Sequence, residues 1–354
     1  MTTGLVLGKF APLHRGHQLL IDMACAENDR VIVIIYDAPD VTTTPLPVRA
    51  RWIRALYPEI LVIEAWDGPM EVGDTPEIKK MHEEYLIKAL RGEAISAFYS
   101  SEFYGQHVSE ALGAQDRRID PDRTRVPVSA TAIRQNAYTN RQYLDPIVYR
   151  DLITKAVFLG APSTGKTTLA RELAAAHQTV WMPEYGREYW DKHQSDRRLT
   201  LEHLLEIAEG HREREETLIA EANRTIFIDT DSTTTFMFSM YYHGKAHPRL
   251  GELAAATLRR YDLFFLCGTD IPYDDTWDRS GDANRQVFQQ HVKADLLNRR
   301  IPFITLRGSL EARMQVVSDV LHGFDRFASI GDNLRTNEAN KALHSDAVNR
   351  ARER

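Results

Sequence analysis

The chain is 354 residues long, with 43% hydrophobic, 9% aromatic and 27% charged residues, a globular composition unlike disordered, collagenous or disulfide-scaffold sequences. At about 150 residues per domain, that length predicts two domains. Lys plus Arg is 44 against 50 Asp plus Glu, a formal net charge of -6, so no overall basic field is present to hold nucleic acid and a dedicated nucleic-acid-binding protein is not expected.

Short β-branched runs alternate with longer amphipathic stretches along the chain, the pattern of strands feeding helices around a parallel sheet. The predicted strands of the first half are Gly4 to Gly8, Arg30 to Tyr36, Ile60 to Ala65 and Ile95 to Ser100. Helices are predicted near His17 to Glu27, Val48 to Tyr57, Pro76 to Leu90 and Glu102 to Leu112. The alternation restarts with Lys155 to Gly160, Thr225 to Thr230, Leu263 to Cys267 and Phe303 to Leu306, with a helix over Leu201 to Asn223. The expected fold class is therefore α/β, two doubly wound parallel-sheet domains over residues 1–150 and 151–327. A connector near Ala137 to Thr154 joins them, and residues 328–354, polar and poor in apolar side chains, are expected to form a tail.

Cys25 and Cys267 lie far apart in apolar segments, which argues against a disulfide framework or a zinc site and predicts two buried packing residues in a reducing compartment. No apolar run reaches the roughly 18 residues of a membrane span, and MTTGLVLGKF lacks a signal pattern. The expectation is a cytoplasmic protein without membrane association. The sequence leaves self-association into a homo-oligomer open.

In the second half, Gly160-Ala-Pro-Ser163-Thr164-Gly165-Lys166-Thr167 follows a predicted strand and precedes the helical TTLARELAAA beginning at Thr167 and Thr168. This is the G-x-x-x-x-G-K-[ST] phosphate loop in the context it requires. Its backbone N–H groups face phosphate oxygens, Lys166 reaches the β- and γ-phosphates of ATP, and the Thr167 hydroxyl ligates Mg²⁺. The plain alternative is a glycine-rich turn with a solvated lysine. A kinase also needs a metal-side carboxylate, a base and a cationic lid. Asp229 and Asp231 end the strand TIFIDTD, where either one orders a magnesium-bound water or holds a substrate hydroxyl. Glu184 follows the apolar TVWMP, the second strand of the domain by order, and is the first choice for general base. The irregular stretch Asp270 to Arg285 holds Arg279 and Arg285, spaced like lid arginines. Each has a structural alternative as a cap, a local ion pair or a surface loop. Tyr185, Trp190, Tyr273 and Trp277 are candidates to stack on an aromatic acceptor, or simple core.

In the first half, Gly8-Lys9-Phe10-Ala-Pro-Leu-His14-Arg-Gly16-His17 directly follows the first strand and opens a helix. Two histidines three apart at a helix N-terminus form a phosphate clamp, and Gly16 removes a side chain where the ligand approaches the backbone. A His pair supplies too few ligands for zinc. Taken singly, each histidine is also readable as a hydrogen-bonded helix-start residue. Later, Val128-Ser129-Ala-Thr131-Ala-Ile-Arg134 reads as a capped short helix with Arg134 one turn on.

GKFAPLHRGH and VSATAIR together resemble the signatures of nicotinamide mononucleotide adenylyltransferases, and the P-loop half with PEYGREY, FIDTD and YHGKAHP extends the likeness over about residues 1 to 325. The whole order resembles the bifunctional NadR family, adenylyltransferase first and ribosylnicotinamide kinase second. The resemblance implies an HxGH nucleotidyltransferase domain with a Rossmann-like sheet, followed by a P-loop kinase domain. His14, His17 and Lys9 would then lie on ATP phosphates, with Ser129, Thr131 and Arg134 on the leaving pyrophosphate. It further implies ribosylnicotinamide, nicotinamide mononucleotide, NAD and ATP as small-molecule partners, with Mg²⁺ serving both sites. Some members carry an N-terminal helix-turn-helix repressor module. This sequence begins at the first catalytic strand, so a DNA-binding role is not expected. Two rivals stand beside this reading: a different nucleotidyltransferase fused to another nucleoside kinase, and an ATP-binding nucleotide sensor.

Overall fold

A computed structural model of the chain describes residues 1–71, 73–101, 105–194, 199–273 and 282–329. The chain divides into two compact units, Met1–Tyr149 and Arg150–Arg354.

The first unit runs β1 (Thr3–Gly8), α1 (Arg15–Glu27), β2 (Arg30–Tyr36), α2 (Leu46–Leu56), β3 (Leu61–Ala65), α3 (Pro76–Leu90), β4 (Ala97–Ser100), α4 (Gly105–Leu112), β5 (Gln115–Arg118) and α5 (Ala130–Gln135). Its five parallel strands lie in the order β3-β2-β1-β4-β5. β1 is central, paired with β2 from Thr3↔Arg30 to Gly8↔Ile35. Helices cover both faces of such a sheet, which is why RVIVIIY is apolar almost throughout instead of alternating.

Helix α6 (Pro146–Leu152) spans the division. The second unit continues with β6 (Thr154–Leu159), α7 (Lys166–Ala176), β7 (Trp181–Met182), α8 (Tyr185–His193), α9 (Leu201–Ile219), β8 (Thr225–Asp229), α10 (Ser232–His243), α11 (Pro248–Ala255), α12 (Thr257–Arg260), β9 (Leu263–Cys267), α13 (Asp282–Asn298), β10 (Ile304–Leu306) and α14 (Leu310–Gly323). The strand order is β10-β9-β6-β8-β7, again all parallel. Phe158 on the central β6 stacks between Phe227 and Phe265, all fully buried, at 6.1 and 5.6 Å. Burying each ring contributes roughly 1.5–3 kcal/mol. No helix among the described residues is long and apolar enough to cross a membrane.

Several sequence expectations need correction. Cys25 is exposed in the last turn of α1, whereas Cys267 is buried in β9. An apolar run in an amphipathic helix does not say which of its residues face the core, because each step turns the chain by about 100°. The strand of the phosphate loop stops at Leu159, since Gly160 has φ 136° and leaves the β region. Strand β5, QDRR, has no apolar run to announce it. The segment expected to be irregular through Arg285 becomes α13 from Asp282 onward. Most of the expected tail, residues 330–354, lies outside the described residues.

In the first unit, one fully buried side chain fixes the carboxyl edge of the sheet. Arg49 lies on the buried face of α2 with Leu46, Ala50, Trp52 and Ile53. Its guanidinium donates to the carbonyls of Thr44 (3.0 Å), Lys9 (2.5 Å) and Tyr36 (2.9 Å), and to Asp37 Oδ1 (3.1 Å). It thereby ties the loop after β1 to the end of β2. Arg49→Ala leaves three carbonyls without this donor and is expected to cost on the order of 3 kcal/mol. Arg49→Lys recovers only part, because an ammonium cannot fork among four acceptors. Urea denaturation of the three proteins checks this, and an unchanged midpoint in Arg49→Ala rejects it.

Candidate functional site

In the second unit, β6 delivers the chain to a tight curl. A Cβ at Gly160 would lie 2.8 Å from the Cys267 carbonyl oxygen, so only glycine fits beside β9. Ser163 and Gly165 are left-handed (φ 59° and 80°), and α7 begins at Lys166. Thr164 closes the curl by donating to the Ala161 carbonyl at 2.8 Å. The Lys166 ammonium is buried within it, donating to the carbonyls of Gly160 (3.0 Å) and Ala161 (2.9 Å). Thr168 is exposed on the first turn of α7.

The register Phe158↔Asp229 brings the end of β8 beside this loop. Thr167 donates its hydroxyl to Asp229 Oδ2 at 2.5 Å. Asp229 is fully buried, and its Oδ1 is a buried oxygen without a hydrogen-bond partner among the described residues. Burial first, then the charge of Glu184, raise its carboxyl above the ordinary range, against the pull of Lys166. Glu184 occupies the N-cap position of α8, where it makes no capping bond with its side chain. The structure therefore brings Lys166, Thr167, Asp229 and Glu184 into one neighbourhood.

Other expected residues are engaged elsewhere. Asp231 is the buried N-cap of α10: its Oδ1 accepts from the N–H groups of Thr233 (3.0 Å) and Thr234 (3.2 Å) and from the Thr233 hydroxyl (2.6 Å). Of its two readings, the capping one describes this side chain. Arg285 is buried on α13 and donates to the carbonyls of Ser163 (3.3 Å), Thr269 (2.6 Å) and Ile271 (3.0 Å). It braces the phosphate loop, in contrast to the swinging lid residue expected. Arg279 and Trp277 lie outside the described residues. Tyr185 is covered by the Arg214 guanidinium at 3.9 Å, and Tyr273 lies 5.4 Å from that of Arg285.

In the first unit, β1 ends at Gly8, and the Phe10 ring (φ 45°) folds back over it. The half-buried Lys9 lies between them. His14 is the N-cap of α1, its Nδ1 accepting the Gly16 N–H at 3.1 Å, and His17 Nδ1 accepts the His14 N–H at 3.4 Å. The imidazoles stack with centroids 3.8 Å apart, and Phe10 meets His17 edge-on at 5.0 Å. A Cβ on Gly16 would lie 3.0 Å from the His14 ring, which would interfere with that cap. Burial, helped by the charge of Arg123, pushes His14 down to about 4. Burial, His14 and Arg123 hold His17 well below the usual imidazole range.

The second signature meets the first through Arg134. Its guanidinium donates to the Ala11 carbonyl at 2.7 Å and to the Thr131 hydroxyl at 3.1 Å. Ser129 caps α5 by accepting the Ala132 N–H at 3.1 Å. The helix-start and ligand-facing readings of these residues are therefore compatible.

Sequence reasoning missed the braces of the second loop besides Arg285. Arg313 on α14 donates to the carbonyls of Thr164 (2.7 Å), Gly268 (3.3 Å) and Gly308 (3.1 Å), and to Asp270 at 2.9 Å. Gln289 on α13 accepts the Ala161 N–H at 2.7 Å and donates to the Cys267 carbonyl at 3.0 Å. A signal existed: Arg49, Gln289 and Arg313 each sit three or four residues from apolar positions, on faces that should be buried.

Residues 5–136 match the cytidylyltransferase-like family model, and residues 155–313 match the AAA domain model. The trifunctional NAD biosynthesis/regulator protein NadR of Escherichia coli (strain K12) is 29% identical over 330 residues, covering 86% of this chain and 78% of that protein. The protein of the same description from Salmonella typhimurium (strain LT2) is 30% identical over 332 residues, with the same coverage. Among solved structures, a NadR protein in complex with NAD and AMP-PNP superposes with a TM-score of 0.57 at 23% identity, over 92% of this chain and 97% of that one. A NadR protein in complex with NR gives 0.54 at 24%, over 90% and 94%. These two establish the shared fold. With the His14–His17 turn and the Gly160–Thr167 loop in that order, and 30% identity across more than three quarters of a relative's length, the chain belongs to the NadR family.

Proposed function

We propose that the protein is a bifunctional enzyme of NAD biosynthesis. The second unit phosphorylates the 5′-hydroxyl of ribosylnicotinamide with ATP, giving nicotinamide mononucleotide and ADP. The first unit joins that mononucleotide to the adenylyl group of ATP, giving NAD and pyrophosphate. The observation that carries this reading is one chain holding two differently built phosphate loops: stacked His14 and His17 tied to VSATAIR through Arg134, and a Lys166 curl beside Thr167 and Asp229. It accords with the ligands named for the two structural neighbours, NAD, AMP-PNP and NR.

In the first unit both histidines spend Nδ1 on backbone N–H groups, so each neutral ring carries its proton on Nε2. Stacking sets these two donors side by side at the N-terminus of α1, where the helix dipole adds to them. The attacking mononucleotide phosphate is already an anion, so the site needs donors and cations around the α-phosphorus and no base. Lys9 and the histidines serve the ATP phosphates, and Ser129, Thr131 and Arg134 hold the leaving pyrophosphate. Gly8, Phe10 and Gly16 shape the turn.

In the second unit the acceptor is a neutral hydroxyl, and Glu184 is the base that takes its proton. Gly160, Ser163, Thr164 and Gly165 supply the backbone cradle for the ATP phosphates, with Lys166 inside it. Thr167 and Asp229 fit Mg²⁺: both are hard oxygen donors, they lie 2.5 Å apart, and Asp229 Oδ1 is buried without a partner among the described residues. When bound, the ion neutralises charge on the β- and γ-phosphate oxygens.

Chromatography of products from ribosylnicotinamide and excess ATP is expected to show the mononucleotide and then NAD. The absence of NAD from either pyridine substrate would overturn the proposal. With ribosylnicotinamide supplied to assay the kinase and nicotinamide mononucleotide supplied to assay adenylyl transfer, His17→Ala should reduce pyrophosphate release by about 10²-fold or more while mononucleotide formation persists, and Lys166→Ala should do the reverse. A folded single variant that loses both activities contradicts two separate sites. Glu184→Gln is expected to lower the kinase kcat by roughly 10²-fold or more, whereas Asp231→Asn should leave it near wild type, Asn being a good cap. Steady-state rates of ADP release separate the two.

Acid also tests the histidine arrangement. His14 titrates near 6.5 when unfolded and is held at about 4 in the folded unit, so between these values the unfolded chain binds more protons. The stability associated with neutral His14 is full above about pH 6.5 and falls as pH drops toward about 4. Scanning calorimetry should show a smaller acid-induced fall in Tm for His14→Asn, which keeps a capping acceptor. Equal slopes for variant and wild type would refute it.

A further inference from the structure

The connection between β5 and α5 carries a cation that neither signature includes. Asp120 organises this stretch: its carboxylate accepts the N–H groups of Arg125 (2.9 Å) and Val126 (2.9 Å) and the Thr124 hydroxyl (3.2 Å), bonds that hold it below the usual carboxylate range. Its carbonyl accepts the Arg123 N–H at 2.9 Å. Within this frame both Asp120 and Arg123 are left-handed, each with φ 51°. A non-glycine residue is strained in that region and persists where its surroundings over-determine it. The loop returns onto the first turn of α1, where Val126 Cγ1 and the His14 ring are both neighbours of Gly16. From there the chain runs two residues further to Val128 and the Ser129 cap.

The exposed Arg123 thus sits on a stiff loop at the mouth of the histidine turn, and its charge reaches both imidazoles. Three further groups face this turn: the half-buried Lys9, Arg134, which donates to the Ala11 carbonyl and to the Thr131 hydroxyl, and the two histidines, which are neutral donors. A polyphosphate at this turn is a multiply charged anion, and a further guanidinium adds a charge-assisted donor to the two cations and two neutral imidazoles there.

We propose that Arg123 is a polyphosphate-binding residue of the first unit, held by the Asp120-braced loop so that its guanidinium meets the β- and γ-phosphates over the His14–His17 pair. The assignment deepens the adenylyl-transfer reading and rests on it for the identity of the anion.

The test uses Arg123→Gly, which suits the left-handed backbone and removes only the side chain, and Arg123→Lys, which keeps charge without the fork. Inorganic tripolyphosphate is titrated into each full-length protein while the His14 and His17 ring signals are followed by NMR, so the local site is read independently of chemistry. In parallel, KM for ATP is measured with nicotinamide mononucleotide as acceptor. Expected for Arg123→Gly are a tripolyphosphate midpoint and an ATP KM each about 10- to 100-fold higher, with Tm equal to or above wild type; Arg123→Lys falls between. An unchanged midpoint and KM in Arg123→Gly overturn the proposal. So does a weaker midpoint accompanied by a lower Tm, which would make Arg123 a structural residue. Wild-type ring signals that ignore tripolyphosphate overturn it as well. If they respond with the expected dependence on Arg123 while no pyrophosphate forms, the anion site stands and the adenylyl-transfer reading falls.

Discussion

A backbone that turns its N–H groups toward a phosphate turns carbonyls into the protein, and a buried carbonyl needs a donor. Both units meet this constraint with long side chains, all but Lys166 from distant segments. In the first, Lys9 and Ala11 carbonyls receive Arg49 from α2 and Arg134 from α5. In the second, Gly160 and Ala161 carbonyls receive Lys166, Ser163 receives Arg285, and Thr164 receives Arg313. Arginine suits the task because one planar, always charged group serves several acceptors in a fixed fork. The same groups leave positive potential beneath the loops, where phosphate charge arrives.

The net charge of the chain is misleading on this point. It is -6, yet positive charge gathers at the two loops, where the buried Arg49, Lys166, Arg285 and Arg313 are aimed at backbone carbonyls. The two units also distribute it differently. The first presents imidazoles kept neutral by burial and by neighbouring positive charge, which suits a reaction whose nucleophile is already anionic. The second places a lysine among carboxylates, Asp229 and Glu184, where burial and then the charge of Glu184 raise Asp229. A neutral hydroxyl acceptor calls for such an acid pair, and an anionic phosphate does not.

Legibility in the sequence followed the range of the interactions. The Gly160 to Thr167 loop and the HRGH turn are contiguous, so spacing alone carries them. The central strands are apolar throughout because helices cover both faces, so RVIVIIY and KAVFL stand out. β5 was silent, since QDRR pairs through its backbone with no apolar run to betray it. Asp231 and Asp229 looked equivalent in FIDTD, but the strand ends between them. Asp229 points into the crevice beside Thr167, while Asp231 turns to cap the next helix.

The sequence by itself determined the fold class, the order of the two phosphate loops and the residue types at each, because all of these depend on neighbours within about ten positions. Only the tertiary structure decided what those residues do together. Arg134 reaches a carbonyl 123 positions earlier, and Arg313 one 149 positions earlier. Arg123 comes near His14 only because the sheet returns the chain to the same edge after β5. Such pairings depend on strand order and on which helix face is buried, and neither is written in any single stretch of residues.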